Sequence, residues 1–255
     1  MVYTLLLTPR TALILAGGKG RRFRPYTDLI PKPMIPLGRS EKPLLEYVVK
    51  MLVLQGVENI VLLVGYKWRY IYNYFGRGEK LGVKIDYSID DERYSGTGGS
   101  VLKALEEGKV SDEDFLVWYG DIIAEVGLAS MYRLHRQHDA SATLAVAERY
   151  QVPVGVVKAG REGVIEDVEE KPWIGVNVFI GVAIFRKDAF REAAEGLGTS
   201  FDIMGDMMPI LVRKSKAVAY IYDGPWFDVG SLERYEKLRE DVISRLEQKL
   251  FPESI

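Results

Sequence analysis

At 255 residues, 47% of them hydrophobic and 27% charged, the chain has the composition of a globular protein with length enough for a sizeable core. Its formal net charge of -2 provides no global field to draw it to nucleic acid or an anionic membrane, so any basic site has to be local. The absence of cysteine excludes disulfides, thiol catalysis and cysteine-ligated zinc.

The opening run VYTLLL is too short to span a bilayer and lacks a basic segment before it, so it is not a signal peptide and a cytoplasmic protein is expected. Residues 1–10 are read as a packed arm. TALILA (11–16) and NIVLLV (59–64) are continuous apolar runs, as expected of parallel strands covered on both faces. Between them, SEKPLLEYVVKMLVLQG predicts a helix with Ser40 as N-cap, Pro43 in the first turn and Gly56 as the stop. The segment 83–89, VKIDYSI, alternates and predicts a strand with one polar or exposed face. GTGGSVLKALEEG starts with glycines and continues at helical spacing, and DFLVWY (114–119) predicts another buried strand. A helix with apolar Leu128, Met131 and Leu134 follows, then several β-rich runs between 141 and 185. From Ser231 to Lys249, Leu232, Tyr235, Leu238, Val242 and Leu246 form one helical stripe. No linker or repeat divides the chain, so one domain over 1–255 is expected. The order of elements predicts an α/β, Rossmann-like, mostly parallel sheet flanked by helices, with a small antiparallel β element beside a pocket at the carboxyl ends of the strands.

The first strand runs into LAGGKGRRFRPYT, in which Gly17, Gly18 and Gly20 are interleaved with Lys19, Arg21, Arg22 and Arg24. No Gly-Lys-Ser/Thr ends the loop, so it is not a Walker A loop, and Phe23 stands where a dinucleotide fingerprint needs its third glycine. Prolines 25, 31, 33 and 36 predict an extended segment rather than a helix after it. Cations this dense repel one another unless an anion sits among them, and amides freed by glycine together with guanidinium forks suit a triphosphate. Arg21 and Arg24 are read as facing solvent. Asp121 in WYGDII and Asp228 in WFDVG each follow an apolar run, at the sheet mouth where ligands bind. His135 and His138 in HRQH lack a third ligand and are read as surface residues.

LAGGKGRRFRPYTDLIPKPMIPLG, GTGGSVLKAL, WYGDII, EEKP and WFDVGSLERY, taken together and in order, resemble the motifs of the sugar-1-phosphate nucleotidylyltransferases from about Ala12 to Tyr235. Arg21 and Phe23 depart from the family's usual small residue and leucine without removing a functional group. The resemblance implies the nucleotide-diphospho-sugar transferase fold, Mg²⁺ held by Asp121 and Asp228, and a nucleoside triphosphate and a sugar 1-phosphate as substrates. Its implied catalytic residues are Arg22, Lys32, Asp121, Lys171 and Asp228. The nucleotide is implied to lie on Leu15, Ala16, Gly17, Gly18, Lys19, Gly20, Gly96 and Thr97, and the sugar phosphate on Gly155, Glu170, Lys171 and Asn177. Relatives using UTP or dTTP commonly carry glutamine five residues before the glycine that is Gly96 here; this chain has Asp91. A carboxylate can take guanine N1–H and the exocyclic amine together, which favours GTP. The string from LLVGYKWRYIYNYFG to GTGGS likewise resembles the guanylyltransferases for mannose 1-phosphate and heptose 1-phosphate. The alternatives are a glucose-1-phosphate uridylyl- or thymidylyltransferase and a catalytically silent regulatory homologue. By analogy a homodimer is plausible, and the chain is expected to be a catalytic domain without a following β-helix.

Overall fold

The computed structural model describes residues 8–214 and 216–252. The arm expected over residues 1–10 therefore lies, for 1–7, outside the described residues. Strand β1 (Thr11–Leu15) is followed by three single-turn 3₁₀ segments at 21–23, 26–28 and 32–34. The prolines there do exclude an α-helix, but they tighten the segment into turns instead of extending it, because Pro33 fits the first turn of the third one.

A short clip of β2 (Pro36–Leu37) and β3 (Lys42–Pro43) leads to α1 (Leu44–Leu54). Ser40 does not cap this helix: its hydroxyl and amide both donate to Glu247 Oε1 at 2.7 Å, and the helix starts only after Pro43. Next come β4 (Asn59–Val64), α2 (Trp68–Phe75), β5 (Lys84–Ile89), α3 (Gly96–Glu106), β6 (Asp114–Tyr119), β7 (Ile122–Ala124) and α4 (Leu128–Gln137). The second half contains β8 (Ala142–Gln151), β9 (Gly155–Ala159), β10 (Ile165–Glu170), β11 (Trp173–Arg186), α5 (Lys187–Ala194), a π-helical turn (Ile203–Met207), α6 (Met208–Lys214), β12 (Ala217–Ile221), β13 (Trp226–Asp228), α7 (Leu232–Glu236) and α8 (Glu240–Leu250).

Seven strands form the main sheet in the order β12-β8-β11-β6-β1-β4-β5. The β6-β1-β4-β5 part is parallel, β11 runs antiparallel to both its neighbours, and β12 is parallel to β8. The alternating side chains of the parallel strands feed two apolar layers. Ile14, Leu62, Leu116 and Trp118 face one with Tyr47 and Leu52, while Leu13, Val61, Phe115 and Val117 face the other with Leu105, Phe185 and Phe190. β5 is the edge strand, which accounts for its alternating pattern. The expected small antiparallel element is β9–β10, a separate two-stranded ladder.

Two further expectations are corrected. The single stripe from 231 to 249 is two helices, α7 and α8, interrupted at Lys237–Arg239 where the Leu238 amide donates to Tyr235 O at 3.1 Å in a tight turn. Leu238 still packs on the core from that turn, so the periodicity continues while the helix does not. His135 is fully buried, not on the surface; only His138 is exposed. His135 Nδ1 shares a 2.8 Å hydrogen bond with the Thr143 hydroxyl, and Nε2–H donates to Asp114 Oδ1 at 3.4 Å.

Candidate active site

β1 and β6 end side by side, Leu15 opposite Tyr119, and each runs into a glycine turn. The Gly120 amide donates to Leu15 O at 3.0 Å, which joins the two turns at the carboxyl edge of the parallel strands. The glycine loop is held at both ends. Ala16 donates to Leu63 O and Tyr66 to Gly17 O, at 2.8 and 3.0 Å, and the buried Thr27 hydroxyl closes on Gly20 O at 2.9 Å. Of the loop's cations, Arg24 pairs with Asp28 at 3.1 Å and Arg21 lies exposed, as their solvent-facing reading requires. Arg22 is exposed as well, but it points to the site: its Nη2 lies 3.3 Å from where a β-carbon on Gly230 would stand, in the turn directly after Asp228.

Asp121 follows Gly120, and Lys32 reaches it from the third 3₁₀ turn as a close ion pair. The antiparallel pairing of β7 with β13 sets Asp228 opposite Ile122, and the Val229 amide donates to Asp121 O at 2.8 Å. Two aspartates far apart in sequence thus stand side by side, Asp121 in the turn before β7 and Asp228 at the end of β13. Asp228 carries its own cation, Arg234 of α7, the helix that Ser231 caps by accepting from the Arg234 amide. Among the described residues there is no cluster of three or more His, Cys, Asp or Glu that could hold a metal. Asp121 and Asp228 nevertheless fit Mg²⁺: they are two partly buried hard oxygen donors, the number the ion takes from protein when phosphate oxygens and water complete its shell.

The two acidic residues after β5 face different surroundings. Asp91 Oδ1 accepts from the Arg93 amide at 2.8 Å and from the Tyr94 amide at 3.3 Å, and Oδ2 lies 3.4 Å from Arg93 Nη2. Desolvation is the largest single influence and pushes its pKa up, but the bonds and charge of Arg93 and the Tyr94 amide together outweigh it and hold the carboxyl below its ordinary range. Its carboxylate is occupied within its own turn. Asp90 instead projects between β1 and β4: a β-carbon on Gly17 or Gly65 would come within 2.4 or 2.2 Å of its Oδ2. Burial pushes this carboxyl up, only partly offset by the Ser100 hydroxyl at 3.4 Å. Asp90 is thus the carboxylate that lines the loop.

The glycines of GTGG make room for protein. A β-carbon on Gly98 would lie 2.1 Å from the Phe201 ring, and one on Gly96 2.3 Å from Phe201 O. Asp202 Oδ1 accepts from the Thr97 amide and hydroxyl at 2.9 and 3.1 Å, so the segment ending in the π-helical turn caps the start of α3.

The sugar-phosphate candidates sit on a ribbon that leaves the sheet. Gly155 is paired with Glu170 at the base of the β9–β10 ladder, and Lys171 Nζ lies 3.4 Å from Glu170 Oε1. Lys171 takes a left-handed backbone, φ 49°, a strained conformation for a residue with a side chain. It turns back toward α7, where the pKa of Glu233 is lowered mainly by Lys237 and further by Lys171. Asn177 falls in the register irregularity between Gly175 and Val178 of β11.

The structure therefore brings Arg22, Lys32, Asp121 and Asp228 together beside the Leu15–Gly20 loop, places Lys171 at the base of the ribbon, where its charge acts on Glu233 of α7, and leaves Asp91 bonded within its own turn. Asp90, Arg234 and Asp202 were missed. Asp90 had a signal, being the residue that directly ends the β5 alternation; Arg234 lies inside a quoted motif but its partner does not follow from spacing; Asp202 gave none. A loop of amides and cations against two carboxylates suits an anion of several phosphates and a hard cation.

The family model described as nucleotidyl transferase matches residues 11–245. The chain is 31% identical over 250 residues to the UTP--glucose-1-phosphate uridylyltransferase of Synechocystis sp., covering 92% of this chain and 63% of that protein. It is 33% identical over 236 residues to the D-glycero-alpha-D-manno-heptose 1-phosphate guanylyltransferase of Aneurinibacillus thermoaerophilus, covering 91% and 97%. In fold it resembles the crystal structure of HddC from Yersinia pseudotuberculosis complexed with GMP-PN, with TM-score 0.70 and 24% identity over 91% of this chain and 99% of that one.

Proposed function

Because the chain belongs to the nucleotidyl transferase family, we propose that it transfers a nucleotidyl group from a nucleoside triphosphate to a sugar 1-phosphate, releasing pyrophosphate. GTP is the favoured donor and mannose or heptose 1-phosphate the favoured acceptor. The observation that carries this reading is the convergence of the cationic glycine loop with the Lys32–Asp121 and Asp228–Arg234 pairs at one edge of the sheet.

A phosphate oxygen of the sugar 1-phosphate attacks the α-phosphorus in line. The new P–O bond forms as the α–β bridging bond breaks, and pyrophosphate leaves with the electron pair. The attacking phosphate is already ionised at neutral pH, so no side-chain base is needed and the protein's work is alignment and charge neutralisation. Lys171 positions the sugar phosphate, Glu170 and Asn177 take sugar hydroxyls, and Gly155 gives Glu170 room. Lys32 holds the nucleotide phosphates, and Arg22 stabilises the pyrophosphate that departs over the glycine loop. Asp121 and Asp228 would hold Mg²⁺, which supplies further neutralisation of phosphate charge when bound. Asp90, rather than Asp91, is the carboxylate available to accept guanine N1–H and the exocyclic amine.

The test is pyrophosphate release with Mg²⁺, with GTP, UTP, dTTP, CTP and ATP each offered with mannose, glucose and heptose 1-phosphates. Release with GTP alone supports the whole reading. Preference for UTP or dTTP, in line with the name of the Synechocystis relative, retains the reaction and overturns the base. Release with no pair favours a silent homologue.

A further inference from the structure

Ser100 stands one turn into α3, and its hydroxyl is the side-chain group that Asp90 meets. Ser100 Oγ lies 3.4 Å from Asp90 Oδ1 and 3.1 Å from Gly96 O, and both contacts are open to solvent, where a ligand can compete for them. A hydroxyl has one proton to give, so it serves either of these acceptors or one that a ligand brings. Asp90 Oδ2 is turned to the glycine loop instead, within 2.4 and 2.2 Å of where β-carbons on Gly17 and Gly65 would stand. Along this edge of the site the order is therefore Ser100 Oγ–H, Asp90 Oδ1, Asp90 Oδ2: one donor, then two acceptors. Both residues stand on fixed backbone. The Asp90 amide donates to Val64 O at 2.7 Å, and the start of α3 is pinned by Asp202 through Thr97. Lys103, three residues after Ser100 on the same helix, favours the charged form of the Asp90 carboxyl.

We infer that Ser100 is a specificity-determining residue whose hydroxyl donates to guanine O6, beside the N1–H and exocyclic amine that Asp90 accepts. The inference rests on the proposed use of GTP and adds the one atom of that base edge which Asp90 cannot serve, since a carboxylate only accepts. Guanine presents an acceptor and then two donors, the mirror of Ser100 Oγ–H, Oδ1 and Oδ2. Adenine and cytosine present an amine and then a ring-nitrogen acceptor, which sets donor against donor and acceptor against carboxylate. Uracil and thymine match the first two places but bring O2 against Oδ2. The array thus selects by mismatch as well as by contact.

Calorimetric titration of the full chain with Mg²⁺ and without sugar 1-phosphate, so that nothing turns over, compares GTP, ITP and 6-thio-GTP. ITP retains O6 and lacks the exocyclic amine; 6-thio-GTP retains N1–H and the amine but carries sulfur, a weak acceptor, in place of O6. The wild type should bind 6-thio-GTP about tenfold more weakly than GTP, the scale of one hydrogen bond. Ser100→Ala should weaken GTP and ITP each about tenfold and 6-thio-GTP less than about twofold, because that analogue has already lost the contact. Alanine is the best helix former, so the variant keeps α3. A loss that strikes GTP and 6-thio-GTP equally is what a disturbed helix would give, and it overturns the inference. Undiminished GTP binding by Ser100→Ala, or a wild type indifferent to sulfur at position 6, does the same; all three outcomes leave the GTP reading standing. A wild type that binds UTP more tightly than GTP overturns the inference and that reading together.

Discussion

Asp90 and Asp91 are neighbours in sequence, yet one carboxylate is pushed up by burial against the glycine loop and the other is held down by its own turn. Asp90→Asn should therefore lower kcat/KM for GTP by about 100-fold, the loss expected when the acceptor pair that reads the base in the proposed reaction is removed, while Asp91→Asn should change it only about twofold; steady-state kinetics with GTP and UTP checks both. Arg22→Ala should lower kcat by about 100-fold or more and leave the KM for the sugar 1-phosphate nearly unchanged, because in the proposed reaction the guanidinium meets the leaving group. Equal loss in both parameters would contradict that role. Arg234→Ala removes the cation that now satisfies Asp228, so Mn²⁺ should bind more tightly, as followed by electron paramagnetic resonance. That the glycine loop, Lys32, Asp121 and Asp228 converge was legible from the ordered motifs, because each sits directly after an apolar run or in a proline-rich turn whose place in the chain the motif fixes. The choice between two adjacent aspartates was not, since counting back from Gly96 cannot tell which one ends the strand and which starts the turn.

At the level of elements, the strands were legible from apolar runs and alternation, because burial on two faces or one writes itself into the sequence. What α3 starts against was not, since Phe201 and Asp202 lie more than ninety positions away. Gly98→Ala should destabilise the protein by about 1–3 kcal/mol as its β-carbon meets the Phe201 ring, which chemical denaturation measures. Helix α4 is tied to β6 through Asp114, whose side chain is fully buried and accepts from Arg136 Nη1 at 2.9 Å and the Tyr132 hydroxyl at 3.1 Å. Burial alone would push this carboxyl up, but the His135, Arg136 and Tyr132 bonds win and its pKa lies below the ordinary value. The folded state thus binds fewer protons than the unfolded one, whose aspartate titrates near pH 4. The stabilisation is fully present above that pH and is lost as pH falls through the lower folded value. Asp114→Asn should lower stability at pH 7 and flatten the acid limb of a stability–pH curve; an unchanged limb would contradict the assignment.

Across the whole molecule, the last helix is fastened to the first half. Buried Glu247 of α8 accepts from the Ser40 amide and hydroxyl and, at 3.0 Å, from the Tyr47 hydroxyl of α1. Glu247→Ala should lower stability by about 3 kcal/mol, since three donors lose a charged acceptor, and thermal or denaturant unfolding reads it. Nothing at Ser40 signalled this: a serine before a helix reads as a cap until its true partner, some two hundred positions away, is known.

All seven strands of the main sheet are complete by Ile221, whereas Asp228 reaches its place beside Asp121 only through β13, and Arg234 and Glu247 come later still. During synthesis, then, every strand of the scaffold is made before the chemistry is. A chain cut between Ile221 and Trp226 retains the glycine loop, Lys32 and Asp121 but loses the half of the site that β13 delivers. Retention on an immobilised nucleotide in the presence of Mg²⁺ should therefore sort finished molecules from clipped ones that share the same seven-stranded sheet.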